Sequence, residues 1–311
     1  MTEFIWVEKY RPKTIQECIL PERLKNTLKT YVQEGKVPNI LLEGGPGTGK
    51  TTAARALCNE IGVSYIIINS SKNRGIDSIR TEIVSFASSK SFNQKSKVII
   101  MDEVDFMTPE AQGAFRGVIE EFSSNCTFIL TCNFKNKLMD AIHSRMATIS
   151  FRFNPDERKK LSLEMFKRCQ EILNEEKVEF DPRILATIIE RYYPDFRKTI
   201  GELQRFSKGG LKDSSVLDQM ASLRNVSDLL EHMKSKNFGK VRAWVTENGE
   251  ADPVTVFRRI YDSLYGSLEP ISIPVAIIIL AKYQYQHAFV ADPEINLVAC
   301  LVELMMEAKF K

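Results

Sequence analysis

The sequence predicts an α/β fold: a parallel five-stranded sheet with helices on both faces, followed by domains made of helices alone. Three observations predict it. Short apolar runs alternate with helical patterns over residues 39–153. A glycine-rich loop joins the first apolar run to the helix after it. Beyond residue 154 the strand-like runs stop and helical periodicity continues to the C-terminus.

The elements follow in chain order. Trp6, Glu8, Lys9, Tyr10, Arg11 and Pro12 read as an extended, aromatic-rich segment, because Pro12 biases Arg11 away from the helical region. Packing against the next domain would also account for Trp6 and Tyr10. A helix is expected over 21–33. Strands are expected over 40–42, 65–68, 98–101, 127–131 and 148–151, with helices over 51–62, 76–87 and 109–122 between them. Sheets of this kind bind ligands at the carboxyl ends of their strands. Asn154-Pro155-Asp156 reads as a helix start, and helices are expected over 157–175, 181–192 and 196–206. Gly209-Gly210 is a break, after which helices are expected over 227–233, 238–248, 253–265, 271–286 and 293–310. The last has an apolar stripe through Leu297, Leu301, Leu304 and Met305 and contains Met306, the pattern of a core or a subunit interface. The division is 1–153, 154–223 and 224–311.

Composition narrows the class. A chain of 311 residues has room for two or three domains, and 43% hydrophobic with 27% charged residues is ordinary for a soluble globular protein. A net charge of +3 is too small to name a nucleic-acid partner by itself. The six cysteines are scattered without a C-x-x-C pair, which argues against a zinc site or disulfide framework and fits a reducing cytosol. The N-terminal stretch carries acids and no long apolar core, so it does not read as a signal peptide. The apolar run 271–280 is too short to span a bilayer and is interrupted by Pro274. A cytoplasmic location is expected.

The chemistry begins at Leu41–Thr52, LLEGGPGTGKTT, where Gly44-x-x-x-x-Gly49-Lys50-Thr51 matches the phosphate-loop pattern. Gly44, Gly45, Pro46, Gly47, Thr48 and Gly49 let backbone N–H groups converge on phosphate oxygens. Lys50 supplies a charge to the β- and γ-phosphates, Thr51 offers a hydroxyl to Mg²⁺, and Thr52 continues the helix whose N-terminus faces the anion. The third strand ends in Asp102-Glu103-Val104-Asp105. There Asp102 is placed to organise Mg²⁺ and Glu103 to polarise an attacking water. The fourth strand ends at Asn133, whose amide is placed for the γ-phosphate or that water; in isolation it would read as a turn residue.

Taken in order, Trp6…Lys9-Tyr10-Arg11-Pro12, the GGPGTGKTT loop, Asn69 to Asp77, the DEVD end, Ala111-Gln112, Ser144-Arg145 and Pro194-Asp195-Phe196-Arg197 resemble the small ATPase subunits of sliding-clamp loaders. These are of the replication factor C type, within the AAA+ superfamily. The stretches CILPE, SFASSKSF and PDFRKTIGEL point to the branch found in T-even-type bacteriophages. The resemblance spans essentially the whole chain. It implies an AAA+ phosphate-loop domain, a helical lid and a helical collar that oligomerises. It implies a DNA-stimulated ATP hydrolase that opens a ring clamp and loads it onto primer–template DNA. The cofactors would be ATP and Mg²⁺. The partners would be the sliding clamp, primer–template DNA, further copies of the chain and a different loader subunit, in a ring of five.

Residue by residue, the resemblance puts Tyr10, Arg11 and Pro12 by the adenine, Lys50 and Thr51 on phosphates and Mg²⁺, and Asp102 on Mg²⁺. Glu103 would be the catalytic base and Asn133 the first sensor. Arg145 would be an arginine finger for the adjacent subunit, and Arg197 the second sensor on the lid. Three departures stand out: Met146 where the family often has Cys, Pro194-Asp195-Phe196-Arg197 for Gly-Asp-Leu-Arg, and Ala114-Phe115-Arg116-Gly117 for Ala-Leu-Arg-Arg. Lys72, Arg74 and Arg80 place cations beyond the second strand as candidate DNA contacts, or as a solvated basic turn. Arg74 is also a candidate for holding Glu103 inactive until DNA draws it away. Phe86 and Phe92 are candidate clamp contacts, the other reading being that both rings pack into their own domain. A helicase loader or branch-migration motor is the alternative function. A DEAD-type helicase would need a second parallel-sheet domain, and a scaffold that binds nucleotide only for structure would have no use for Glu103.

Overall fold

The computed structural model describes residues 5–71, 76–89, 97–207, 211, 226–248 and 253–311. The chain divides into two compact units, Met1–Lys212 and Asp213–Lys311.

The first unit opens with a single helical turn, α1 (Trp6–Lys9), where an extended segment was expected. Pro12 restricts only the residue before it, so Tyr10 N–H is free to close the turn on Trp6 C=O at 2.9 Å. Trp6 and Tyr10 are buried, their rings edge to face at 6.4 Å. Helix α2 (Glu22–Glu34) starts after Pro21 and stops at Gly35, which takes the left-handed conformation that suits glycine at a helix end.

Five strands follow: β1 (Ile40–Glu43), β2 (Tyr65–Asn69), β3 (Lys97–Asp102), β4 (Cys126–Cys132) and β5 (Ala147–Ser150). They pair in parallel in the order β2-β3-β4-β1-β5. Parallel neighbours need crossovers. These are α3 (Lys50–Ile61), α4 (Ile76–Ser88), α5 (Pro109–Glu121) and the short α6 (Asp140–His143). Strand alternation splits the core in two. Leu41, Ile99, Met101, Phe128 and Leu130 face one layer with Phe115 and Ile142; Ile40, Leu42, Val98, Ile100 and Ile129 face the other with Leu28, Ala53 and Leu57. Because β1 lies between β4 and β5, its C-terminal loop opens at the point where the strand order reverses.

The unit ends in three helices, α7 (Pro155–Glu175), α8 (Pro182–Tyr192) and α9 (Phe196–Ser207). Asn154 and Glu157 form a reciprocal capping box at the start of α7. Asp181 caps α8 through Arg183 N–H. Leu161, Met165, Ile172, Leu185, Ile188 and Leu203 are buried among these helices.

The second unit, among the described residues, is helical: α10 (Val226–Lys234), α11 (Phe238–Glu247), α12 (Pro253–Ser267), α13 (Ile273–His287) and α14 (Pro293–Glu307). Leu297, Leu301, Leu304 and Met305 lie in its core, while Met306 is exposed. The last helix stops at Glu307 rather than at 310. Beyond it the chain is extended, with Glu269 N–H bonding Lys309 C=O at 2.9 Å and Leu268 bridging Phe310. The expected Gly209-Gly210 break lies outside the described residues. No described helix is long and apolar enough to cross a membrane.

Candidate active site

Strand β1 delivers the chain into the phosphate loop, and two glycines there are sterically required. A Cβ on Gly44 would stand 2.8 Å from the Phe151 Cβ. Gly47 has φ +67, and a Cβ there would overlap the Asp195 carboxylate. The start of α9 rests on this loop, with Phe196 N–H donating to Gly47 C=O at 3.1 Å. Arg197, the next residue, lines the cleft beside Pro46, Gly47 and Lys50.

Lys50 opens α3 and is buried. Its ammonium donates to Gly44 C=O at 2.8 Å, Gly45 C=O at 2.7 Å and Asn133 Oδ1 at 2.9 Å. Burial holds its pKa below the ordinary lysine value, against the pull of Asp102 and Asp105. An arriving phosphate would add opposite charge directly at the ammonium, whose present hydrogen-bond partners are neutral oxygens.

Strand β4 separates β3 from β1, so Asp102 reaches the loop across it. Thr51 Oγ1 donates to Asp102 Oδ1 at 2.7 Å, and Thr131 Oγ1 donates to the same oxygen at 2.5 Å. Thr131 Oγ1 also accepts Glu103 N–H at 3.1 Å. Glu103 turns out of the strand at φ 59, which aims its half-buried carboxylate into the cleft. The donors gathered here are oxygens, the type magnesium selects, so Thr51 and Asp102 fit that ion. When bound, it would neutralise charge building on the phosphate oxygens.

A second part of the cleft is lined by Tyr10, Arg11, Pro12, Thr52, Met165 and Arg168 among others. Arg11 donates to Thr52 Oγ1 at 3.2 Å and pairs with Glu8, whose pKa that pairing lowers. Tyr10 OH donates to Glu176, the residue that caps the end of α7, at 2.7 Å, and Arg168 to Tyr10 C=O at 3.3 Å. The aromatic segment thus packs against its own unit and forms a wall of the cleft.

Arg145 does not line this cleft. It follows α6, and its guanidinium donates to Glu120 on α5 through Nε at 3.0 Å and through Nη2, and to Ala141 C=O at 2.7 Å. Arg80 is exposed and paired with Glu121 at 2.9 Å. Phe86 is half-buried against the α4–α5 layer. Lys97 donates to the Phe86 carbonyl at 2.6 Å and sits 5.1 Å from its ring, capping the end of α4. Lys72, Arg74 and Phe92 lie outside the described residues.

Sequence reading missed three residues. Thr131 had a signal, a lone hydroxyl near the end of an apolar strand. Asp105 was visible as the second acid of DEVD but had no partner to suggest a role. Glu120 had none, because it is one acid among several on α5.

Residues 40–153 match the ATPase family associated with various cellular activities (AAA), and 157–218 match the lid domain of the sliding-clamp-loader large subunit. The chain is 35% identical over 314 residues to the sliding-clamp-loader large subunit of Enterobacteria phage T4, covering 99% of this chain and 98% of that protein. The chain belongs to the sliding-clamp-loader ATPase family. Another member, the replication factor C small subunit of Sulfolobus acidocaldarius, is 35% identical over 324 residues, covering 99% of this chain and 97% of that one. The Thermotoga maritima RuvB Holliday junction branch migration motor superposes with a TM-score of 0.54 at 16% identity, over 72% of this chain and 79% of that one; this likeness speaks for the shared AAA+ fold. As a clamp-loader subunit of the AAA family, the chain is an ATP-hydrolysing enzyme.

Proposed function

We propose that this clamp-loader ATPase uses ATP binding and hydrolysis to open a ring-shaped sliding clamp and place it on primer–template DNA. The observation that carries the reading is a single cleft lined by six of the residues such hydrolysis needs. Lys50, Thr51, Asp102, Glu103, Asn133 and Arg197 converge on one cleft, while Arg145 stands off it.

In this reading Tyr10, Arg11 and Pro12 hold the adenine. The N–H groups of Gly44 to Thr52 cradle the phosphates. Lys50 leaves its carbonyl partners for the β- and γ-phosphates, and Arg197 follows from the lid. Thr51 and Asp102 hold Mg²⁺. Glu103 takes a proton from the attacking water while the Asn133 amide orients it. Arg145 of one subunit meets the ATP of the next, where its charge stabilises the transferred phosphoryl group. Residues 1–153 act as the ATPase domain, 154–223 as the lid and 224–311 as the collar. Ile271, Ile278, Tyr285 and Phe289 are exposed on and beside α13, which supports subunit contacts there. Copies of the chain and a different loader subunit would complete a ring of five in the cytoplasm.

Lys72, Arg74 and Arg80 are proposed to grip DNA through phosphates, and Phe86 and Phe92 to touch the clamp. The test is clamp loading: labelled clamp retained on primed circular DNA with ATP and lost in Lys50→Ala. Retention that is independent of ATP would reject the reading.

A further inference from the structure

Asp105 has no role in the chemistry described so far, yet it is buried at 6% exposure. It lies in the 3₁₀ turn Val104–Phe106 that follows Glu103. Its Oδ2 accepts two main-chain N–H groups from the loop after β4, Asn133 at 3.3 Å and Phe134 at 3.2 Å. Its Oδ1 is buried without a hydrogen-bond partner.

The loop is also tied by Gly44 N–H on Cys132 C=O at 3.2 Å and by His143 Nε2 at 3.0 Å from Lys135 C=O, but neither contact reaches the main-chain N–H groups of Asn133 and Phe134. Phe134, Lys135, Asn136 and Lys137 are exposed. The far end is held by Gln112, which bonds Lys137 C=O and Met139 N–H. The near end carries Asn133, whose side chain accepts from Lys50 at 2.9 Å. When Lys50 moves to a phosphate, Asn133 Oδ1 loses its partner. Only a fixed backbone then keeps the amide within reach of the reacting water.

We infer that Asp105 is the positioning residue of this exchange: its carboxylate anchors the Asn133–Phe134 backbone so that the Asn133 amide passes from Lys50 to the reaction centre without the loop moving. The inference rests on the ATPase reading above. It makes Asp105 act through Asn133, by hydrogen-bond geometry rather than by charge. An asparagine in its place keeps an oxygen able to accept both N–H groups; an alanine does not.

The experiment uses the full chain. Asp105→Ala should lower kcat by about 10²-fold, the scale of a misplacement of roughly 1 Å, with KM for ATP unchanged. Asp105→Asn should return most of the rate. Because the two residues act as one unit, Asp105→Ala combined with Asn133→Ala should be no slower than Asn133→Ala alone. Amide hydrogen exchange at 133–134 should be faster in Asp105→Ala than in the parent. Should that variant fail to fold, Asp105→Glu displaces the acceptor and carries the same expectations for kcat and exchange. Parent kcat in Asp105→Ala, an Asn variant as slow as the Ala variant, losses that multiply in the double variant, or unchanged exchange would each overturn the inference. A parent chain that hydrolyses no ATP would instead indict the ATPase reading, and the exchange measurement would still decide on the anchor.

Discussion

Thr51 Oγ1 and Asp102 Oδ1 are 2.7 Å apart, hydrogen-bonded although β4 separates the strand that ends at Asp102 from β1, the strand that leads into the loop before Thr51. Both groups are therefore already within one ion's reach. Removing divalent cation, or Asp102→Ala, should reduce turnover by more than about 10²-fold, since a metal's stabilisation of phosphoryl charge is worth several kcal/mol. The check is ATPase rate against Mg²⁺ concentration for both chains. Full activity in chelator would remove these residues from metal binding.

Glu103 enters the cleft through a left-handed backbone that L-residues rarely adopt. Glu103→Gln keeps its size and removes its basicity. ATP should still bind while turnover falls by about 10²–10⁴-fold, the usual worth of a positioned base. Nucleotide titration and single-turnover hydrolysis on the same preparation separate the two effects.

Arg145 spends its donors on Glu120 and Ala141 of its own chain, outside its own cleft. Exposed pairs of this kind are weak, so release to a neighbour's phosphate is inexpensive. A finger is worth about 10³–10⁵ in rate. Mixing Arg145→Ala chains with Lys50→Ala chains should restore part of the activity that each lacks, at interfaces joining an intact finger to an intact loop. Mixtures as inactive as their components would count against action in trans, and an Arg145→Ala chain as active as the parent would place Arg145 outside catalysis.

Gly47 meets the Asp195 carboxylate with no room for a side chain. Gly47→Ala should lift the start of α9 from the loop, at about 1–3 kcal/mol for overpacking of this kind, and weaken ATP binding. Shortening the opposing group with Asp195→Ala should recover part of the loss. Fluorescent-nucleotide titration of the single and double variants tests this; equal affinity in all of them would mean the contact does not govern binding.

Much of this was legible in the sequence because local chemistry set it. The five strands were short apolar runs bounded by turn residues, and their observed ends differ from the expected ones by a residue or so. Gly62 and Gly35 ended helices as left-handed caps. The turn at Trp6–Lys9 was not legible, because the Trp6 main-chain N–H and the hydroxyl of the following Tyr10 are held by Gln204 and Glu176, which are more than 160 residues away. The same limit hid Thr131. Its hydroxyl matters because β4 lies between β1 and β3, and strand order is not written in any local pattern. Arg145 was singled out by its motif, but the Glu120 partner that holds it comes from a different helix.

The central claim is that hydrolysis is coupled to clamp loading, and steady-state ATPase activity tests it most directly. The assembled loader is measured alone, with primed DNA, with the cognate clamp, and with both. The account predicts a low basal rate and a rise with both ligands that exceeds the sum of the separate effects, with Lys50→Ala flat throughout. A rate indifferent to clamp and DNA would contradict it.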